Sequence, residues 1–213
     1  MTLDFHLIES ILWTPEGGYH LMEDHLDRLA ASALHFGFKL DERAVRGELN
    51  ENAKGLEDAV SRFKVRILLD GDGNLSISSV PIPAQAHLEP LRVTAAPEKT
   101  DPSNVFLFHK TTRRELYDRL LAEFSAKGFY DIIFENVRGE ITEGAWNNVI
   151  LKTGGRFFTP PVRCGLLNGV FRRTMLESGK LAERVLTGKD LSEAENIYCC
   201  NSVRGLVEVM YEA

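Results

Sequence analysis

Two runs of alternating residues around a glycine-containing turn constrain the fold most strongly. The first run, RFKVRILLD, alternates basic and apolar residues, and the second, NLSISSVPI, alternates polar and apolar ones. Between them lies DGDGN, and Asp-Gly pairs in this setting are typical of tight hairpin turns. Successive side chains of a strand point to opposite faces, so the alternation predicts two half-buried strands. The sequence therefore predicts an antiparallel strand pair over residues 62–82.

The segments on either side of this hairpin predict helices as well as strands. Before it come a strand in LDFHLIESILW and a helix in EDHLDRLAASALHFGF, with Gly37 as the helix stop. A second helix is predicted in DERAVRGELNENA, and LRVTAAP after the hairpin is a further strand. The first half of the chain therefore mixes the two kinds of element.

The second half follows the same mixed order. After the apolar run VFLF comes the predicted helix TRRELYDRLLAEFSAKG, with Thr111 or Thr112 as its cap, and then the strand FYDIIFEN. EITEG continues into AWNNVILKT as the second strand of that pair, while RVL and NIYCC are shorter strands. This order predicts an α+β protein of two lobes. The predicted boundaries are a small lobe at 1–97, a linker at 98–104 and a larger lobe at 105–213.

Charge and hydropathy exclude several classes of partner. The net charge is −6, whereas proteins that bind nucleic acid carry a basic excess. The first residues include His6 and Glu9, unlike a secretory signal, and no apolar run approaches the roughly 18 residues that cross a bilayer. The adjacent Cys199 and Cys200 suit neither a metal clip nor an ordinary disulfide. We expect a cytoplasmic protein with no metal, no membrane partner and no nucleic acid.

Lys110 is the first candidate for chemistry. It follows an apolar run and precedes a helix start, so it is expected at the end of an element, half out of solvent. A lysine in an apolar, positively biased site, here near Arg113 and Arg114, can act as a nucleophile or form a Schiff base. From this position alone, a surface lysine is the competing interpretation.

Glu143 is the second candidate, in the motif GEITEG. A carboxylate beside a pyridine nitrogen keeps that nitrogen protonated, which pyridoxal 5′-phosphate (PLP) needs in order to withdraw electrons. The competing interpretation is a surface glutamate on a strand, and Glu140 is a rival within the same motif.

Two loops could hold an anion. GLLNGVFRR runs from a glycine loop into a helix and would offer backbone N–H groups to a phosphate. NSVRG follows a buried strand and brings Asn201, Ser202 and Arg204 to its end. An ordinary helix start and a polar turn are the competing interpretations. By pattern alone, Arg28 is a solvated arginine that could pair with nearby acidic residues of its own helix.

Taken together, these motifs resemble the class IV aminotransferases, which are the fold-type IV PLP enzymes. The resemblance covers nearly the whole chain in order, from HLDRLAASALHFGF through HKTTRRELYD and GEITEGAWNNVIL to GLLNGVFRRTML and CCNSVRGLVEV. It implies a two-lobed fold like that of the D-amino acid aminotransferases, with PLP between the lobes. It also implies a homodimer.

The resemblance assigns roles to individual residues. Lys110 matches the lysine that forms the Schiff base and then moves protons, and Glu143 matches the carboxylate on the pyridine nitrogen. Arg28 matches the arginine that grips the cofactor phosphate, which reverses the interpretation from pattern alone. The remaining matches are Gly169, Val170 and Phe171 for phosphate binding by backbone N–H groups, Leu167 for packing on the ring, and Ser202 with Asn201 for further contacts to the phosphate.

Two departures point within the family. Many aminotransferases have threonine where this chain has Phe171, and branched-chain enzymes have tyrosine at the position of Glu115, so that Tyr117 is the nearest tyrosine here. HKTTRRELYD and CNSVRGL look most like the aminodeoxychorismate lyases, which implies conversion of 4-amino-4-deoxychorismate to 4-aminobenzoate and pyruvate for folate synthesis. Arg113 and Arg204 are then candidates for the carboxylates of this small anionic, amino-acid-like substrate.

Two alternatives stay open. One is a PLP-dependent aminotransferase for branched-chain or D-amino acids, which would use the same Lys110. The other is a catalytically inactive member of the fold that acts as a partner subunit or binding module.

Overall fold

The computed structural model describes residues 4–56, 61–83 and 91–213, and the chain divides into two compact units. One unit comprises Met1–Gln85 and His109–Arg113, and the other comprises Ala86–Phe108 and Arg114–Ala213. The predicted α+β class is confirmed, because both units combine strands with helices. The lobe boundaries at 1–97, 98–104 and 105–213 stay a prediction.

The first unit is a four-stranded antiparallel sheet with two helices. Its elements are β1 (Leu7–Thr14), β2 (Gly18–Tyr19), α1 (Met22–Phe36), α2 (Glu42–Lys54), β3 (Arg62–Leu69) and β4 (Leu75–Ile82), and the strand order is β2-β1-β3-β4. The predicted hairpin is confirmed as the β3–β4 pair. Asp70 holds its turn by accepting the N–H groups of Asp72 and Asn74 at 2.9 Å. Gly37 ends α1 with a φ of 70°, which suits glycine because it lacks a Cβ.

The short segment 109–113 returns to the first unit and pairs with β1. Ile8 N–H donates to Lys110 O at 2.8 Å, and Thr112 N–H donates to His6 O at 2.9 Å. This pairing corrects the predicted cap of the next helix. The hydroxyl of Thr111 accepts Arg113 N–H and that of Thr112 accepts His6 N–H, so neither caps a helix. The helix begins only at Glu115, because residues 109–113 pair with β1.

The second unit is built around an eight-stranded mixed sheet. Its strands are β5 (Leu91–Ala95), β6 (Asp131–Glu135), β7 (Ile141–Gly144), β8 (Asn148–Thr153), β9 (Arg156–Thr159), β10 (Ala182–Glu183), β11 (Asn196–Asn201) and β12 (Gly205–Tyr211). Its helices are α3 (Glu115–Ala126), α4 (Val170–Glu177) and α5 (Gly188–Glu193), and the 3-10 helices are Val105–Phe108 and Val162–Cys164.

Two strand predictions in this unit need correction. The single strand predicted through EITEG and AWNNVILKT is two strands, because the chain turns between them and Gly144 N–H donates to Asn147 O at 2.7 Å. The strand predicted in RVL lies earlier, at Ala182–Glu183, where it pairs in parallel with β9.

One extra strand pairing shapes the second unit. The sheet order is β10-β9-β8-β11-β12-β5-β6-β7, and β7 also pairs with β8, so six strands close into a ring. The closing pair is Glu143 opposite Asn148. Apolar side chains from several strands of the ring form a buried cluster, which includes Val93, Ile133 and Val149. Among the described residues, no helix is both long and apolar enough to cross a bilayer.

Candidate active site

A buried carboxylate organises the polar residues of the first unit. Glu9 lies on β1 with 1% of its surface exposed, in a strand whose other residues are mostly apolar. Its Oε2 lies 2.6 Å from His25 Nδ1 and accepts Arg28 Nη2–H at 2.7 Å, while Oε1 accepts Arg28 Nε–H at 2.8 Å. Both partners project from α1. Glu9 thus joins strand to helix through three hydrogen bonds in the interior.

The charge states of this group follow from its surroundings. Burial raises the pKa of Glu9, but the Arg28 charge and the hydrogen bonds from Arg28 and His25 outweigh it and lower that pKa to about 2. Burial lowers the pKa of His25 further than Glu9 raises it, and the charges of Arg28 and Lys110 lower it too. At neutral pH the group is therefore a carboxylate, a guanidinium and a neutral imidazole.

Arg28 differs from what its helix pattern predicts. Only 12% of its side chain is exposed, and it forms an ion pair with Glu9 on β1. Glu23, one of those neighbours, instead makes a bidentate pair with Arg46 at the surface. Since period 3.6 places Arg28 beside residues of its own helix only, the sequence pattern does not reveal a partner on β1.

Lys110 lies half-buried in the segment paired with β1. Its carbonyl accepts the N–H of Ile8, the neighbour of Glu9, and its charge acts on the buried His25. The neighbouring His109 forms a hydrogen bond between its Nδ1 and Ser32 Oγ at 2.9 Å. Its ring also stacks on that of His35, with the ring centroids 4.4 Å apart. Strand pairing and side-chain packing therefore anchor the backbone that carries the lysine.

Glu143 occupies the ring-closing position of the second unit and accepts donors from three elements. Tyr117 of α3 donates its hydroxyl to Oε1 at 3.3 Å. Leu167 N–H donates to Oε2 at 3.2 Å, and Asn148 Nδ2 lies 3.4 Å from the same atom. A carboxylate that accepts several donors at this spacing is suited to carrying a negative charge.

Glu140 is used differently. Its Oε2 accepts Asn136 Nδ2–H at 2.6 Å and Arg138 Nε–H at 2.9 Å, and its N–H donates to Asn136 Oδ1. Glu140 therefore holds the β6–β7 turn together. Of the two glutamates, Glu143 is the one that accepts the Tyr117 hydroxyl. Burial and the charge of Glu143 raise the pKa of Tyr117, so the phenol keeps the proton that it donates.

The glycine loop after the second 3-10 helix packs on Asn148. Asn148 Nδ2 donates to Leu167 O at 2.9 Å, and a Cβ built on Gly169 would overlap Asn148 Oδ1. Gly169 is also the N-cap of α4, and no described side chain caps that helix. The first N–H groups of α4, at Val170 and Phe171, therefore sit at a helix start without a side-chain acceptor, which is the arrangement that suits a phosphate.

The turn between β11 and β12 carries the last predicted residues. Asn201 Oδ1 accepts the N–H groups of Val203 and Arg204 at 2.9 Å, which closes the turn around a buried Ser202. Arg204 lies over the Trp146 ring, 5.2 Å from its centroid. In the first unit, Arg113 lies 5.7 Å from the Phe5 ring centroid. Both candidate substrate arginines thus rest on aromatic rings.

Asp131 holds the loop between β7 and β8 through hydrogen bonds, a role that the sequence analysis did not predict. Its carboxylate is fully buried and accepts Ile132 N–H, Ala145 N–H and Asn147 Nδ2–H at 2.7–2.8 Å. Asn147 in turn accepts Asn201 Nδ2–H at 2.7 Å. Burial raises the pKa of Asp131 to about 7 against the lowering effect of these donors.

The structure thus groups the predicted residues by unit. The first unit holds Arg28, Lys110 and Arg113. The second unit holds Glu143, Leu167, Gly169, Val170, Phe171, Asn201, Ser202 and Arg204. Sequence reasoning did not assign Glu9 or Asp131, although a charged residue inside an apolar strand is a signal that could have found each one.

Known proteins resemble this chain over most of its length. The family model described as Amino-transferase class IV matches residues 6–210. A Schizosaccharomyces pombe protein provisionally named aminodeoxychorismate lyase is 30% identical over 210 residues, which is 93% of this chain and 86% of that protein. A solved structure from Mesorhizobium loti, provisionally named amino-acid aminotransferase, has a TM-score of 0.91 and 32% identity, covering 98% of this chain and 100% of that one.

A third likeness concerns the fold alone. A hypothetical aminotransferase from Mycobacterium tuberculosis, solved in a PLP-bound form, is 19% identical with a TM-score of 0.81, covering 97% of this chain and 81% of its own.

Proposed function

The chain belongs to the amino-transferase class IV family, and from this premise we propose that it is a lyase that converts 4-amino-4-deoxychorismate to 4-aminobenzoate and pyruvate. Its α+β fold is that of the fold-type IV enzymes, and it is a PLP-dependent enzyme, either lyase or aminotransferase. The choice of the lyase reaction is supported by the Schizosaccharomyces pombe relative, which matches 93% of the chain.

The residues present suit PLP, which when bound supplies an electron-withdrawing pyridine ring. The observation that carries this assignment is Glu143, whose carboxylate accepts Tyr117, Leu167 N–H and Asn148 within one unit. We assign Glu143 to the pyridine nitrogen, where a negative charge keeps that nitrogen protonated. Leu167, whose own N–H holds Glu143, is assigned to the face of the ring.

The phosphate of the cofactor is assigned to donors from several elements. The backbone N–H groups at the start of α4 are suitable because no described side chain caps that helix. Arg28 is assigned here as well, since the pair with Glu9 holds one edge of its guanidinium. The full set is Arg28, Gly169, Val170, Phe171, Asn201 and Ser202.

Lys110 is assigned both the covalent link to the cofactor and proton transfer. In the lyase reaction its Nζ removes the proton from the ring carbon that bears the amino group. The C–O bond to the enolpyruvyl group then breaks, the ring becomes aromatic, and the leaving group takes up a proton at its methylene carbon to become pyruvate. The atoms of 4-aminobenzoate and pyruvate add up to those of the substrate, so neither an oxidant nor an acceptor is required.

The substrate carries two carboxylates, and Arg113 and Arg204 are assigned to them. A guanidinium that rests on an aromatic ring is oriented and partly desolvated, which favours bidentate binding of a carboxylate. We also expect a homodimer in the cytoplasm, to be tested by sedimentation of the purified protein and by fractionation of cells.

An aminotransferase is the second candidate. The solved structure from Mesorhizobium loti has the same extent as this chain, 98% against 100%, and is provisionally named for that activity. The two reactions differ in stoichiometry, because transamination needs a keto-acid acceptor whereas elimination of pyruvate does not.

The deciding experiment gives purified holoenzyme 4-amino-4-deoxychorismate without any keto acid. We expect equimolar pyruvate and 4-aminobenzoate. A parallel panel of branched-chain and D-amino acids with 2-oxoglutarate tests transamination. Glutamate formation in the panel without pyruvate release from aminodeoxychorismate would replace the lyase with the aminotransferase, and no turnover in either assay would favour an inactive fold.

A separate experiment tests the lysine. Wild-type protein with PLP should show the absorbance band of the lysine-linked cofactor, and borohydride should fix the cofactor to the peptide that contains Lys110. Lys110→Ala should lose both signals. A retained lysine-linked band in that variant would show that another lysine carries the cofactor.

A further inference from the structure

The Glu9–Arg28 pair holds the guanidinium by one edge. Glu9 Oε1 and Oε2 accept Nε–H and Nη2–H at 2.8 and 2.7 Å, a bidentate geometry that fixes the plane of the guanidinium as well as its position. Since the group is planar, the edge that carries Nη1 points away from Glu9. A carboxylate at one edge of an arginine therefore fixes the direction in which the rest of the guanidinium faces.

Glu9 is itself held in place by its burial and by His25. Its own exposed fraction is 1% and that of His25 is 0%. The Nδ1 of His25 lies 2.6 Å from Oε2, and because the imidazole is neutral it donates a hydrogen there without adding a charge. The single negative charge of Glu9 is thus balanced by the single positive charge of Arg28. Glu9 cannot rotate away without leaving a buried carboxylate unpaired, which is costly.

The same strand also anchors the lysine segment. Ile8, next to Glu9 on β1, donates its N–H to Lys110 O. Glu9 therefore lies one residue from the backbone contact that holds Lys110, and its side chain holds Arg28. These contacts all lie inside the first unit.

We propose that Glu9 is a positioning residue that orients Arg28 for the phosphate of the cofactor. This inference rests on the proposed function in one respect, the assignment of Arg28 to that phosphate. Glu9 does not touch the cofactor in this proposal. Its effect is transmitted through the guanidinium, and it is therefore specific to ligands that carry the phosphate.

The chain provides a matched control. Glu23 makes the same bidentate pair with Arg46, at 2.7 Å for both bonds, but 66% of the Glu23 side chain is exposed. Glu23→Gln removes the same chemistry at the surface. Glu9→Gln keeps the volume of the side chain but presents an amide NH₂ to donors, so it can no longer accept both N–H groups of Arg28.

The experiment measures binding of PLP and of pyridoxal, which lacks the phosphate, to the cofactor-free protein. For wild type the ratio of the dissociation constant of pyridoxal to that of PLP reports the contribution of the phosphate. Glu9→Gln should weaken PLP binding by about tenfold or more, the scale of a lost charge-assisted hydrogen bond, and leave pyridoxal binding within about twofold. Glu23→Gln should leave both unchanged. Glu9→Asp, which keeps the charge on a shorter side chain, should fall between wild type and Glu9→Gln.

Arg28→Gln separates this inference from the proposed function. If Arg28→Gln lowers the ratio and Glu9→Gln does not, Glu9 has no positioning role while the phosphate assignment stands. If Arg28→Gln leaves the ratio unchanged, the assignment of Arg28 is wrong and the inference is wrong with it. In Glu9→Gln/Arg28→Gln, the Glu9 substitution should have no further effect on the ratio, and an additive effect would contradict the proposal. If Glu9→Gln does not fold, Glu9→Asp decides, and an unchanged ratio in that variant overturns the proposal.

Discussion

The hydroxyl of Tyr117 lies 3.3 Å from Glu143 Oε1 and donates a hydrogen to it. Burial and the adjacent carboxylate raise the pKa of Tyr117, so this hydrogen is retained at any pH near neutrality. The other oxygen of Glu143 is held by Leu167 N–H at 3.2 Å. The carboxylate is therefore gripped from α3 on one side and from the glycine loop on the other, which leaves it little rotational freedom.

Removing that hydroxyl should lower turnover. Tyr117→Phe keeps the ring packed against Phe134 but takes one donor from Glu143. We expect kcat to fall about five- to tenfold, as for one lost hydrogen bond to a charged group, with PLP affinity nearly unchanged. Tyr19→Phe is the control, since Tyr19 donates to Leu49 O and Asn52 Oδ1 in the other unit and should affect stability only. Equal kcat values for Tyr117→Phe and wild type would contradict a role for this bond.

Substitutions of the two glutamates in GEITEG should differ in their effects on kcat and on stability. Glu143→Gln removes the negative charge assigned to the pyridine nitrogen, so kcat should fall by about 100-fold or more while PLP still attaches to Lys110. Glu140→Gln should keep kcat within about threefold and lower the free energy of unfolding by about 1 kcal/mol, because Glu140 holds a turn. Steady-state kinetics and urea unfolding of both variants test this, and a larger kinetic defect in Glu140→Gln would reverse the assignment.

A methyl group at position 169 should disturb the loop that we assign to the cofactor phosphate. In Gly169→Ala the new Cβ overlaps Asn148 Oδ1, and Asn148 must move away from both Leu167 O and Glu143. We expect a loss of about 1–3 kcal/mol in the free energy of unfolding and weaker PLP binding. The control is Gly47→Ala in α2, where nothing apart from the adjoining helix backbone lies within 4 Å of the new methyl group. That variant should be more stable by about 0.5–1 kcal/mol.

Asp131 should make the protein less stable as pH rises. Burial raises its pKa in the folded protein to about 7, from 3.8 in an exposed chain. Between these values the folded state keeps a proton that the unfolded state has lost, so the free energy of unfolding falls as pH rises, by up to about 1.4 kcal/mol per pH unit, and levels off above pH 7.

The measurement is urea unfolding from pH 4.5 to 8.5 for wild type and Asp131→Asn. The difference between the two curves isolates this group, and the fall should be smaller in the variant. Asp118→Asn, at an aspartate whose side chain is 61% exposed, should follow the wild-type curve. Parallel curves for Asp131→Asn and wild type would show that Asp131 does not titrate in this range.

Much of the fold could be predicted because local chemistry encodes it. The alternation on either side of DGDGN is enough for the β3–β4 hairpin, and Gly37 marks the end of α1, since both depend on residues adjacent in the chain. The order of the motifs indicated the family, which the match over residues 6–210 bears out. The roles proposed for Lys110 and Glu143 came from residue type, from position in a motif and from the family resemblance.

The partners of these residues were decided by tertiary structure. Arg28 meets Glu9 across 19 residues of sequence, and Glu143 meets Leu167 across 24. Thr111 and Thr112 lie where a helix cap was predicted, yet their segment pairs with β1 instead. Periodicity and turn chemistry report only on residues a few positions apart, whereas such contacts depend on which strands and loops become neighbours. The sequence by itself therefore determined most of the elements and the reactive residue types. The packing of β1 on α1 and the closure of β7 on β8, which no local pattern encodes, decided what surrounds them.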